Sequence, residues 1–146
     1  MKTILVAIDF SDITKGLVEI ARNMALAHGA SLHLLHVEPP EPDFVGYEAG
    51  PQHVRDQVAQ DAVHHFKEEN ALREQLRSEG IDAHSLVIQG PVVEKLLEQA
   101  DKLSADLIIV GSHGHGAVYH LLVGSVSEGL LMRANCPVLV VPVRQK

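Results

Sequence analysis

At 146 residues the chain has the size of one domain with room for a real core. Apolar residues make up 46% and charged residues 21%, and the formal net charge of −7 argues against the basic patches that hold nucleic acid by its phosphates. A single cysteine, Cys136, leaves no internal disulfide and fits a cytoplasmic protein, while no apolar stretch approaches the ~20 residues of a membrane span.

The first apolar run, Ile4 to Ile8, ends at Asp9, too soon for a signal-peptide core. Further runs follow at Leu32 to Val37, His84 to Ile88, Leu107 to Val110 and Val138 to Val141. The first, fourth and fifth are continuously apolar, as parallel strands covered on both faces are. His33, His36 and His84 interrupt the other two, which places these nearer a sheet edge. Aromatics are only 3%, so Val, Leu, Ile and Ala must build the core.

Helical patterns separate the runs. Ser11 is a candidate cap for a helix whose apolar face is Ile13, Leu17, Ile20, Ala21, Met24 and Ala27, closed by Gly29. A second helix is predicted from about Gln52 to Glu79, with Val54, Val58, Ala62, Phe66, Leu72 and Leu76 at helical spacing. Pro91 suits the first turn of a third, carrying Val93, Leu96, Leu97, Ala100 and Leu103. A fourth should begin at Gly124-Ser125 and carry Val126, Leu130 and Leu131. The segment Glu38 to Pro51, rich in Pro and Gly, reads as a connection or lid within one domain spanning residues 1–146. The alternation of strands and helices implies an α/β fold with a parallel sheet and right-handed crossovers. Ligands of such sheets sit beyond the carboxyl ends of the strands.

One loop stands there with the means to hold an anion. Leu107 to Val110 runs into Gly111-Ser112-His113-Gly114-His115-Gly116, and Gly124-Ser125 opens the next helix. Glycines let backbone N–H groups approach a phosphate, and a helix N-terminus adds partial positive charge. The loop is not a Walker motif, because Ala117-Val118 stands where Lys-Ser/Thr is required. Nor is it a dinucleotide fingerprint, since Tyr119 replaces the third glycine and the loop follows the fourth strand.

The pattern G-x2-G-x9-G-[S/T], here Gly111, Gly114, Gly124 and Ser125, resembles the ATP-binding signature of the universal stress protein family. Thr3 to Asp9, Ala105 to Gly114 and Cys136 to Pro142 resemble that family's first strand, its fourth strand and loop, and its last strand. The resemblance implies an open five-stranded parallel sheet in the order 3-2-1-4-5, of the adenine-nucleotide alpha-hydrolase-like kind. It implies ATP across the carboxyl edge, with AMP, and with Mg²⁺ or Mn²⁺ at the phosphates, as open alternatives. Ala7 and Asp9 would lie near the adenosine, and Val37 would meet the base with its backbone. Gly111, Ser112, His113, Gly114 and His115 would flank ribose and phosphates. Gly124, Ser125, Val126 and Ser127 would donate to the phosphates. It also implies a homodimer through the last strand, residues 137–143, with a tetramer as an alternative, and a role in stress adaptation with an unidentified regulatory partner.

Gly111 to Tyr119 carries no Lys or Arg, so affinity should be modest and strengthen as pH falls toward the histidine pKa of about 6.5. His113, His115 and His120 match no zinc spacing and are expected to face phosphate or solvent rather than a metal. His64 and His65 are expected to be solvated on the long helix. Asp9 has a second reading, a helix N-cap or a buried carboxylate held by backbone N–H groups. Cys136 reads as a packing residue. No nucleophile elbow surrounds Ser112, and no acidic pair stands beside Asp9, so ATP hydrolysis should be weak or absent.

Overall fold

The computed structural model describes residues 1–39, 52–112 and 124–142, without the side chains of residues 52–55 and 58. Its elements are β1 (Thr3–Ala7), α1 (Thr14–His28), β2 (Ser31–Glu38), α2 (Gln52–Ser78), β3 (Ala83–Gln89), α3 (Val92–Leu103), β4 (Leu107–Gly111), α4 (Ser125–Arg133) and β5 (Val138–Val141). All five apolar runs are strands, paired in parallel in the order β3-β2-β1-β4-β5.

Alternation along the strands divides the core in two. Ile4, Val6, Leu32, Leu34, Leu107 and Ile109 face α1 and α2, where Leu17, Ala21, Ala25 and Leu76 meet them. Leu5, Leu35, Val37, Ile108 and Val110 face α3 and α4, against Leu96, Ala100 and Leu130. Fully burying a Leu or Ile stabilises by roughly 1.5–3 kcal/mol, whereas isolated helices as short as α1, α3 and α4 are marginal in water. The helices are therefore held by their packed faces. At the amino edge, Asp106 Oδ2 accepts the N–H groups of Lys2 (2.7 Å) and Thr3 (2.9 Å), fixing the start of β1 beside β4.

Three local expectations need correction. Ser11 does not cap α1: its hydroxyl and its N–H both donate to Asp9 Oδ1, and the helix starts at Thr14 after Ile13, with no side-chain cap. Gly29 closes α1 as expected, in the left-handed region at φ 63°. Pro91 stands one residue before the first turn of α3, as its extended N-cap. In α2 the inward stripe is His65, Glu69, Leu72 and Leu76; Ala62 and Phe66, both expected inside, are exposed. Two polar residues thus occupy the face where Ala62 and Phe66 were expected.

Candidate functional site

The strand order reverses between β1 and β4, because the first crossovers run toward β3 and the last toward β5. The carboxyl ends of β1 and β4 therefore bound a crevice. Among the described residues, Ala7 and Asp9 lie at the end of β1, Val37 near the end of β2, Gly111 and Ser112 at the end of β4, and Gly124 to Ser127 at the start of α4. His113, Gly114 and His115 lie outside the described residues, as does most of the segment from Glu38 to Pro51.

The register leaves one strand longer than its neighbour. The β1–β2 ladder ends at Ala7–Leu35, and Ile8 N–H donates to Leu35 O at 2.9 Å. β2 continues for three more residues, to Glu38. In a parallel strand the N–H and C=O of residues two apart point the same way. The main chain of Val37 therefore points to the side of Leu35 O, where β1 has already ended. Glu38 points the other way, and its carbonyl accepts Gly90 N–H at 3.0 Å. Val37 buries its side chain among Leu35 and Leu96 on the opposite face from His36. An edge-on donor and acceptor beside the crevice is what the planar edge of a base requires.

On the β4 side the backbone is tied together. Ser112 N–H donates to Val141 O (2.8 Å), and Gly124 N–H donates to Ser112 O (2.6 Å). Ser127, fully buried, donates its hydroxyl to Gly111 O at 2.7 Å. In this structure that hydroxyl, which the resemblance assigns to a phosphate, positions the strand end. Ser125 remains exposed at the first turn, and Gly124 offers no side-chain cap to the N–H groups there. An N-terminus without an internal acceptor suits an anion. Asp9 is half-buried, and its Oδ1 accepts both the N–H and the hydroxyl of Ser11.

Sequence reasoning missed a polar cluster at the same edge. His36, on the α1/α2 face of β2, hydrogen-bonds Ile8 O through Nδ1 at 2.8 Å. Its Nε2 lies 3.0 Å from Glu38 Oε1, and His65 Nδ1 reaches the same oxygen at 2.7 Å. His65 is therefore not solvated, as expected of it, while His64 is. Phe10 stacks on His65, with centroids 4.6 Å apart at 8°, and meets His36 edge-on at 4.8 Å. Burial favours the neutral acid of Glu38. The hydrogen bond from His65, and the pull that each histidine exerts when it carries a proton on both nitrogens, outweigh it and hold the carboxyl below its ordinary range. Period-two alternation pairs positions 36 and 38 on one face, but nothing in a hydrophobic pattern brings His65 to them.

The remaining singled-out groups are quiet. Cys136 is half-buried against the α3/α4 core, and burial, then Asp101 and Asp106, push its thiol up, away from reactivity. No helix among the described residues is long and apolar enough to cross a membrane.

Comparison with known proteins agrees with this architecture. The model of the universal stress protein family matches residues 1–142. A universal stress protein of Thermus aquaticus, from the 3′ region of the QAH/OAS sulfhydrylase, is 35% identical over 141 residues, covering 96% of this chain and 98% of the relative. The solved structure of MJ0577 from Methanocaldococcus jannaschii superposes with a TM-score of 0.81 at 25% identity, over 99% of this chain and 98% of that one. A universal stress protein solved in complex with cAMP gives 0.67 at 25% identity, over 97% and 96%.

Proposed function

Because the chain belongs to the universal stress protein family, we propose that it binds an adenine nucleotide, ATP in the first instance, in the crevice between β1 and β4, and acts in the cytoplasm as a nucleotide-dependent regulator. The observation that carries this reading is the overhang of β2. Val37 offers main-chain N–H and C=O beyond the end of β1, while the first turn of α4 stands across the crevice with no side-chain cap. One end suits a base and the other a phosphate. The cAMP complex of a relative supports adenine as the base.

In this reading Ala7 and Asp9 border the nucleoside, and Gly111, Ser112, His113, Gly114 and His115 border ribose and phosphates. Gly124, Ser125 and Val126 meet the phosphates, and Ser127 acts through Gly111. Turnover in this reading is slow or absent, well under the usual ~1 s⁻¹ of enzymes. Occupancy can signal to a regulatory partner only if two states of the protein differ in nucleotide affinity. β5 lies at the sheet edge with Val138 to Val141 all partly exposed, and we assign it to a two-fold dimer contact. A monomer by light scattering at micromolar concentration would overturn that assignment.

The experiment is acid extraction of freshly purified protein, with chromatographic identification of released nucleotide, beside Gly114→Lys. Recovery near one ATP or AMP per chain, lost in the variant, supports the site. No nucleotide, with no thermal shift on adding ATP and Mg²⁺, overturns it in favour of an interaction module with an empty crevice.

A further inference from the structure

We propose that His36, Glu38 and His65 form a binding site for zinc or a similar divalent first-row transition ion, joining α2 to the end of β2. The donor atoms of the three residues lie within 4.8 Å of one another. The proposal is independent of the nucleotide reading, since it uses the α1/α2 face of the sheet and different atoms.

A carbonyl oxygen only accepts, so Ile8 O fixes the proton of His36 on Nδ1. In the neutral ring that leaves the electron pair on Nε2. The side chain is only 8% exposed, and Nε2 is buried without a hydrogen bond. Glu38 Oε1 is close, at 3.0 Å, but is not directed as a hydrogen-bond acceptor for that ring. An unpartnered buried nitrogen is costly unless something else completes it. A cation shared with the carboxylate and with His65 does so.

The surroundings fit a metal. Ligating histidines usually give their second N–H to a carbonyl or carboxylate, which sets the tautomer and orients the ring. The bond from His36 to Ile8 O is such a contact. Zinc bonds of 2.0–2.2 Å at tetrahedral angles separate neighbouring donors by about 3.3 Å, so the observed 2.7 and 3.0 Å must open by a few tenths of an ångström and the largest donor separation, no more than 4.8 Å, must close by up to about 1.5 Å. Two imidazoles and a carboxylate suit zinc and its neighbours, whereas Mg²⁺ and Ca²⁺ prefer oxygen alone. Three protein donors leave the fourth position for water or an incoming ligand. Phe10 walls the cluster by packing on both rings, and it does so from a left-handed backbone at φ 59°, a conformation that a bulky residue rarely adopts.

The test is titration of chelator-stripped full-length protein with Co²⁺, read by visible d–d absorption and by displacement with Zn²⁺. Wild type should take up one equivalent. The triple variant His113→Ala, His115→Ala, His120→Ala should do the same. His65→Ala and Glu38→Gln should bind at least about 100-fold more weakly, with folding checked by circular dichroism. Zn²⁺ should also raise the wild-type Tm with a dependence on its concentration that His65→Ala lacks. Absent stoichiometric binding, or binding kept in His65→Ala and lost in the triple variant, overturns the site. Should the variants unfold, ¹⁵N shifts of the ring nitrogens of His36 and His65 on adding Zn²⁺ to wild type decide the matter. Movement supports the proposal, and its absence overturns it.

Discussion

Glu69 lies buried on the inward face of α2, and its Oε1 accepts the backbone N–H of Leu86 in β3 at 3.2 Å. A carboxyl thus ties a helix to an edge strand from a place where a hydrophobic stripe would ordinarily run.

The placement makes stability depend on pH. Burial raises Glu69 from an ordinary 4.5 to about 7, although the Leu86 N–H and the charge of Arg73 pull the other way. The folded state therefore holds a proton that the unfolded state releases between these values, so stability falls as pH rises through that window. A shift of this size corresponds to an energy on the order of 3 kcal/mol. Glu69→Gln keeps an acceptor for Leu86 and removes the titration. Urea unfolding should show the variant more stable than wild type at pH 8, with the gap shrinking at pH 5. Parallel pH profiles would refute the role of Glu69.

Ser125 and Ser127 should separate binding from stability. Ser127→Ala removes the buried bond to Gly111 O and should cost about 1–3 kcal/mol, because an acceptor is left unsatisfied. Ser125→Ala, at an exposed first-turn position, should change stability by under about 0.5 kcal/mol and weaken nucleotide binding. Denaturant melts and calorimetric titration with ATP check both. Equal effects of the two on stability would count against the assignment.

Gly129 should resist the usual helix rule. Ala is favoured over Gly inside helices by about 1 kcal/mol. A Cβ at Gly129, however, would stand 2.9 Å from Val93 Cγ2, where α4 packs on α3. Overpacking of this kind costs about 1–3 kcal/mol, so Gly129→Ala should destabilise. Gly129→Ala with Val93→Ala should recover part of the loss, and a stabilised single variant would disprove the tight contact.

Phe66 and Leu76 were expected on one face of α2, yet only Leu76 is buried. Leu76→Ala should cost about 2–5 kcal/mol. Phe66→Ser should stay within about 0.5 kcal/mol. Thermal melts distinguish them directly.

These contrasts show where the sequence is informative. Three strands were legible as continuous apolar runs, and the other two as runs in which His33, His36 and His84 stand among apolar residues. The ends of β1 and β4 were legible because Asp9 and Gly111 stop such runs. The α2 face was not, since hydrophobicity assigns inwardness to Phe66 and denies it to Glu69 and His65. The inward role of Ser127 was likewise hidden, because a serine in the first turn of a helix looks the same whether it bonds a ligand or a strand end. The cluster of His36, Glu38 and His65 joins positions 27 residues apart and needed the packing of a helix on a sheet to appear.

The overhang of β2 has an evolutionary consequence. Main-chain groups at Val37 exist whatever side chain stands there, provided the strand is three residues longer than the ladder beside it. Under the proposed reading, base recognition is inherited as a length rather than as a residue. Substitutions at Val37 that keep the core packed can accumulate without erasing it, whereas removing a single residue between Leu35 and Glu38 would shift every later position to the opposite face and erase it at once.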